Sequence, residues 1–304
     1  MNLLNDLEEI IQSEFKRHGY NVKNKNLQGL LNGLMNLKGK LIIPKPRKVR
    51  ISKELLNKNL VGDNRKYLNE VKRKIEQGIN INNHLSRDSE KISAKDSLLY
   101  DWGIQHGHLN NKVDEEGRIK RSGYLLFFIV REDQVYFIDV TQHQLQDRTE
   151  FSQQQLLKIA KGNWPELFKN GLKGITIPNK LSDKDYKDSR NKGSLVPVEV
   201  DGDVYAMLGG GYSTAKTSLK NTLETDYLIQ FLLEIEASIK KSHSILFDIC
   251  IQFGIQPIQN DFKLSYDEEN FYVIETSLQK KQVIIENLHE DIFFLDKVLS
   301  WKKD

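Results

Sequence analysis

The chain has 304 residues, of which 38% are hydrophobic and 29% charged, with a formal net charge of +3. That length supports a sizeable core and more than one compact region, and the composition is that of a well-solvated globular protein, not a disordered or fibrous one. No apolar run is long enough to span a bilayer, the first residues lack the basic and apolar regions of a signal peptide, and the single cysteine, Cys250, leaves no internal disulfide; a cytoplasmic protein without a membrane partner is expected.

The first third reads as helical. Leu4, Leu7, Ile10, Ile11 and Phe15 recur at helical spacing. Leu30, Leu31, Leu34 and Leu37 mark a second helix from Leu27, with Gly39 as its stop. A third helix is predicted from about Asn64 to Gln77, with Gly78 at its end. Between the second and third lies a basic run, Lys38 to Lys53, with seven cations and no acid. Pro44 and Pro46 hold part of it extended. Lys45, Arg47, Lys48 and Arg50 are therefore candidate contacts to a nucleic-acid backbone, a use that reads charge and not sequence. Residues 1–95 form the expected helical, basic N-terminal region.

Residues 96–217 change character. Tyr124 to Val130 is a continuous apolar strand, and Val135 to Val140 is a second one beyond the turn at Arg131-Glu132-Asp133. Together they predict a hairpin buried on both sides. Phe151 to Lys161 predicts a short helix with Ser152 as N-cap, and Ser182 to Gly193 a charged loop. Asp201-Gly202 predicts a second hairpin. Residues 218–304 then hold a helix from Leu219 to Lys241, an apolar segment containing Cys250, strands at 262–266 and 271–275, and a closing helix from Ile284 to Trp301. The class is α+β: a helical N-terminal region, a central, mainly antiparallel sheet built from hairpins, and a mixed helix/strand C-terminal region.

The sharpest signal is Asp101-Trp-Gly-Ile-Gln-His106-Gly-His108-Leu. On a strand, residues i and i+2 share a face, so both imidazoles project into one space. A pair of imidazoles suits general acid/base work on RNA, one taking the 2′-hydroxyl proton and the other protonating the leaving 5′-oxygen. Arg121, just before the buried strand, is the cation expected to offset charge on the phosphate oxygens. His143, just past the second strand, is the expected auxiliary, with Asp139 able to orient an imidazole. The competing metal reading takes His106, His108 and His143 or Asp101 as zinc ligands, but no Cys-x-x-Cys or His-Glu-x-x-His spacing supports it, so neither metal nor cofactor is expected. Trp102 and Trp164 are expected in the core, not on bases.

Gly210-Gly211-Tyr-Ser-Thr-Ala-Lys216-Thr217 approaches the phosphate-loop pattern but has Ala215 where that pattern has its second glycine. A nucleotide-hydrolysing loop is not expected. Free N–H groups at Gly210, Gly211, Lys216 and Thr217 remain a candidate phosphate cradle, against the alternative of a crossover loop.

The His106/His108 stretch, the Arg121-Ser-Gly-Tyr-Leu-Leu-Phe strand, Tyr136-Phe-Ile-Asp-Val with His143, and Asn163-Trp-Pro-Glu together resemble a family of uncharacterised bacterial proteins over residues 96–217. The order of helix, His-bearing strand, Arg and hairpins is also similar to the barnase/RelE-like metal-independent ribonucleases and toxins. The first resemblance carries no known activity; the His pair and the second similarity together give the expectation of a ribonuclease-type effector of a toxin or phage-defence system, with RNA as the favoured partner and a regulatory or antitoxin protein as a second. The alternatives are a non-enzymatic nucleic-acid-binding or regulatory protein and, third, a metal-dependent phosphoesterase.

Overall fold

The structure, a computed structural model, describes residues 1–143, 149–169, 171–213, 216–254, 262–267, 270–276, 280–285 and 288–302. Helix α1 (Leu3–Arg17) is capped by the Asn2 side chain and buries Leu3, Leu7, Ile11 and Phe15, a stripe at i, i+4. Helix α2 runs Leu27–Lys40. Gly39 does not stop it, because the Leu41 N–H still reaches the Leu37 carbonyl at 2.9 Å and Leu34 and Leu37 are fully buried; burial outweighs the glycine's cost of about 1 kcal/mol. Strand β1 (Lys48–Ile51) and the short helix α3 (Lys53–Asn57) follow. Helix α4 (Asn64–Glu76) ends as expected, with Gly78 at φ 72° and the Ile79 N–H bonded to the Lys74 carbonyl.

Helix α5 (Ser97–Trp102) is capped by Asp96 and closed by Gly103 in the left-handed region. Strands β2 (Gln105–His108), β3 (Tyr124–Val130) and β4 (Gln134–Gln142) then join β1 in one sheet of order β1-β4-β3-β2. The β2–β3 and β3–β4 pairs are antiparallel, whereas β1 lies parallel to β4, so the sheet is mixed. Leu125 to Ile129 are all buried, as a continuous apolar strand requires. One face packs Leu125, Phe127, Ile129, Tyr136 and Ile138 on Leu156, Leu157 and Ala160 of helix α6 (Gln154–Asn163), with Trp102 and Trp164 in the same core.

Two local expectations are corrected here. Ser152 is not the cap of α6: its hydroxyl donates to the Thr149 carbonyl, and Asp183 accepts from the Gln154 N–H instead. The segment 182–193 is not a loop but helix α7 (Asp183–Asn191), opened by a reciprocal Ser182/Asp185 capping box. The second hairpin, β5 (Val198–Val200) and β6 (Asp203–Tyr205), turns at Asp201 and Gly202, both at positive φ, and forms its own two-stranded sheet.

Helix α8 runs Leu219–Gln252 without the expected break; the Cys250 side chain lies outside the described residues. Strands β7 (Phe262–Tyr266), β8 (Phe271–Glu275) and β9 (Lys280–Ile285) form a third, antiparallel sheet. The expected helix from Ile284 is replaced by β9, α9 (Leu288–Phe293) and α10 (Leu295–Val298). No described helix is long and apolar enough to cross a membrane.

The chain divides into two compact units, Met1–Met35 with Asn221–Leu295, and Asn36–Lys220 with Asp296–Asp304. The three consecutive regions 1–95, 96–217 and 218–304 are not the units. The change near residue 95 marks a switch from helices to strands within one unit, because β1 is drawn into the sheet by its parallel pairing with β4, from Lys48 opposite Gln134 to Ile51 opposite Phe137.

Candidate functional site

All the candidate site residues lie in the second unit. His106 and His108 sit on the edge strand β2, opposite Phe127 and Leu125. His106 is half-buried and His108 buried. Gly107 between them faces His84: an added Cβ would lie 3.4 Å from the His84 carbonyl oxygen. The His143 ring stands 5.7 Å from that of His108, and Phe151 packs 4.8 Å from His106 and 6.4 Å from His143. Antiparallel pairing explains this convergence, since β4 returns beside β3 and the His143 N–H bonds to the Gly123 carbonyl. His106 and His143 thus share Phe151, and His143 links them to His108.

Burial and crowding disfavour the charged forms of His106 and His108. Burial is the main cause that pushes the His108 imidazole down to about 4, with His106, His143, Arg121 and His84 adding to it. Burial also lowers His106, which in contrast has Asp96 and Glu150 near enough to favour its charged form. The Nδ1 atoms of His106 and His108 are buried without a hydrogen-bond partner among the described residues.

Each imidazole lines its own cavity. That of His106, about 400 Å³, is walled by Lys40, Lys95, Asp96, Phe151, Lys187 and Arg190, among others. That of His108, about 410 Å³, is walled by Arg87, Arg118, Lys120 and Arg121, with Asp114 the one carboxylate among the described lining residues. Arg87 is paired with Asp114 at 2.7 Å and Arg118 with Glu90, whereas Lys120 and Arg121 are exposed with no ion-pair partner among the described residues. Asp88, on the wall of the first cavity, is held below the usual carboxylate range chiefly by Lys91, with Arg121 among the further cations that act on it. The two cavities are thus electrostatic neighbours.

Several residues that shape this site went unread in the sequence. His84 is buried, donates from Nδ1 to the His108 carbonyl (3.0 Å) and faces Lys74 Nζ through Nε2 (3.4 Å). Its segment shows no periodicity, so nothing in the sequence marked it. Arg190 holds the buried Asp101 carboxylate at 2.9 Å, lies 4.0 Å from the Trp102 ring centroid and donates to the Phe151 carbonyl. The Ser182-x-x-Asp185 capping signature was the signal for α7, and so for Arg190 near its end. Lys40 is buried, and its ammonium donates to the carbonyls of Asp88, Lys91 and Ala94; burial pushes it down to about 8.

The remaining candidates are dispersed. Asp139 pairs with Lys58 at 2.8 Å, not with an imidazole. Asp101 is committed to Arg190, and among the described residues His106, His108 and His143 do not bring ligand atoms within 4.8 Å of one another, so the zinc set does not assemble. In the basic run, Arg47 is corrected from a backbone contact to an internal clamp: it is buried and bonds to the carbonyls of Ile43, Arg131 and Glu132. Lys45 pairs with Glu132 and Arg50 with Glu166, while Lys48 is exposed on β1.

The phosphate cradle is likewise corrected. The Gly209 N–H bonds to the Asp101 carbonyl, Gly210 to Met207, Gly211 to Tyr100, Lys216 to Ser213 and Thr217 to the Ser213 hydroxyl. None of these N–H groups is free to hold an anion. Gly209 is glycine because a Cβ there would lie 2.1 Å from the Leu99 carbonyl oxygen. Thr214 and Ala215 lie outside the described residues. No known protein family, curated protein or solved structure matches the chain.

Proposed function

We propose that the protein binds RNA in the two cation-lined cavities and cleaves it by acid/base chemistry without a metal, as a cytoplasmic effector of a toxin or phage-defence system. The observation that carries this reading is the placement of His106 and His108, two residues apart on one strand, each on the wall of a cationic cavity. His108, held neutral, takes the proton of the 2′-hydroxyl. The 2′-oxygen attacks phosphorus, and the bond to the 5′-oxygen breaks. His106, which Asp96 and Glu150 draw towards its charged form against the larger effect of burial, acts in its protonated form and gives its proton to that oxygen. The products are a 2′,3′-cyclic phosphate and a 5′-hydroxyl. Arg121, on the His108 cavity wall and without an ion-pair partner among the described residues, offsets the charge that grows on the phosphate oxygens.

The test is incubation with RNA and with DNA of the same sequence, with and without chelator. RNA is expected to be cut in both conditions and DNA in neither. His106→Ala and His108→Ala are each expected to slow cleavage by about 10² to 10⁴. Full activity in the double variant overturns the reading. The depressed His108 imidazole and the absence, among the described residues, of a carboxylate bonded to either ring favour a second reading, binding of RNA without cleavage; RNA retained intact by the wild-type protein selects it.

A further inference from the structure

The two cavities differ in chemistry. The His106 cavity has Phe151 beside the imidazole and the apolar Leu98 on its wall, with serine hydroxyls, two carboxylates and the cations named above around them. Its volume of about 400 Å³ lies in the range of pockets that enclose small ligands. Among the described residues the His108 cavity has no Phe, Tyr or Trp on its wall and is lined by Arg87, Lys120 and Arg121 beside the imidazole. Two residues along a strand advance the chain by about 6.6 Å. That is the order of the stride from one nucleotide to the next in an extended single strand.

We propose that the two cavities divide a single-stranded RNA between them: the His106 cavity receives one unpaired nucleobase, stacked on Phe151, and the His108 cavity receives the neighbouring backbone phosphate. The proposal rests on the RNA-binding reading and adds the substrate class to it. A base inside a duplex cannot enter the His106 cavity without being turned out of its stack, so paired RNA is excluded. Stacking tolerates every base because each has a π face, so selection is for strandedness and not for sequence. In the proposed reaction His106 protonates the 5′-oxygen of the nucleotide whose base lies in its own cavity. His108 and Arg121 face the nucleotide before it.

The experiment measures anisotropy of a labelled, fully 2′-O-methylated RNA 12-mer, which has no 2′-hydroxyl to attack, alone and annealed to its complement. The proteins are the full-length wild type, Phe151→Leu, Phe151→Ala and Arg121→Gln. Phe151→Leu keeps an apolar side chain against the core on which Phe151 packs and removes the stacking face, and Arg121 is exposed and unpaired among the described residues. The wild type is expected to prefer the single strand. Phe151→Leu is expected to bind it roughly 5- to 150-fold more weakly and to lose the preference over duplex. Arg121→Gln is expected to lower the log–log salt slope by about 0.7. Wild-type affinity for the single strand in both Phe151 variants, or equal affinity of the wild type for the duplex, overturns the base-pocket assignment and leaves the RNA-binding reading standing. An unchanged salt slope in Arg121→Gln overturns the phosphate assignment. A wild-type protein that binds neither probe overturns the RNA-binding reading together with this inference.

Discussion

Burial of His84 makes the second unit sensitive to acid by an amount that the structure sets. The ring is 4% exposed, donates to the His108 carbonyl and has Lys74 against its other nitrogen. Burial is the main reason its imidazole is pushed down to about 4, the His108 carbonyl and Glu70 opposing and Lys74 assisting. Its ordinary value is about 6.5. The folded protein therefore keeps the ring neutral at a pH where the unfolded chain has already bound a proton. Stability from this group is complete above pH 6.5, falls as the pH drops below 6.5, and is lost by about pH 4. At about 1.4 kcal/mol per pH unit the loss amounts to about 3 kcal/mol. His84→Asn places an amide nitrogen where Nδ1 stood and cannot titrate. It is expected to cost about 1–3 kcal/mol at neutral pH and to remove that share of the acid sensitivity. Urea unfolding from pH 7.5 down to 4.5 measures both. The chain's three tryptophans, Trp102, Trp164 and Trp301, all belong to the unit that holds His84, so their fluorescence reports on the right unfolding event. The difference in unfolding free energy between wild type and variant should shrink as the pH falls, which separates His84 from the carboxylates that titrate in both proteins. Parallel curves for the two proteins would refute the reasoning.

Two further expectations concern the frame of the site. Gly209→Ala should cost about 3 kcal/mol or more, because the new Cβ would press on backbone atoms of Leu99, Gly103 and Tyr100, and backbone cannot rotate aside; an unchanged Tm would show that this crossover is not packed as described. Arg190→Met should cost about 3–5 kcal/mol by leaving the buried Asp101 carboxylate unpaired, and adding Asp101→Leu should recover much of it. Equal losses in the single and double variants, read from chemical denaturation, would show that the pair's charge plays no part.

The sequence determined what depends on neighbours a few residues away. The α+β class, the buried hairpin of β3 and β4, the Gly78 stop of α4 and the turn at Asp201-Gly202 follow from periodicity and from backbone conformations that only certain residues adopt. The extended geometry of His106-Gly107-His108 was legible for the same reason, and so was their common face. Contacts between distant segments decided the rest. The parallel pairing of β1 with β4 moved residues 36–95 into the sheet's unit and spent Arg47 inside it. The basic run therefore reads as a charged surface in one dimension and as partly internal in three. The Gly209–Thr217 turn resembles an anion cradle as a string, but its N–H groups find carbonyls of α5 and of the turn itself, which no local pattern encodes. His84 lies more than twenty residues before the strand it supports, and Arg190 nearly ninety residues after the aspartate it neutralises. Their roles arise because a buried carbonyl or charge must find a partner wherever the fold brings one close.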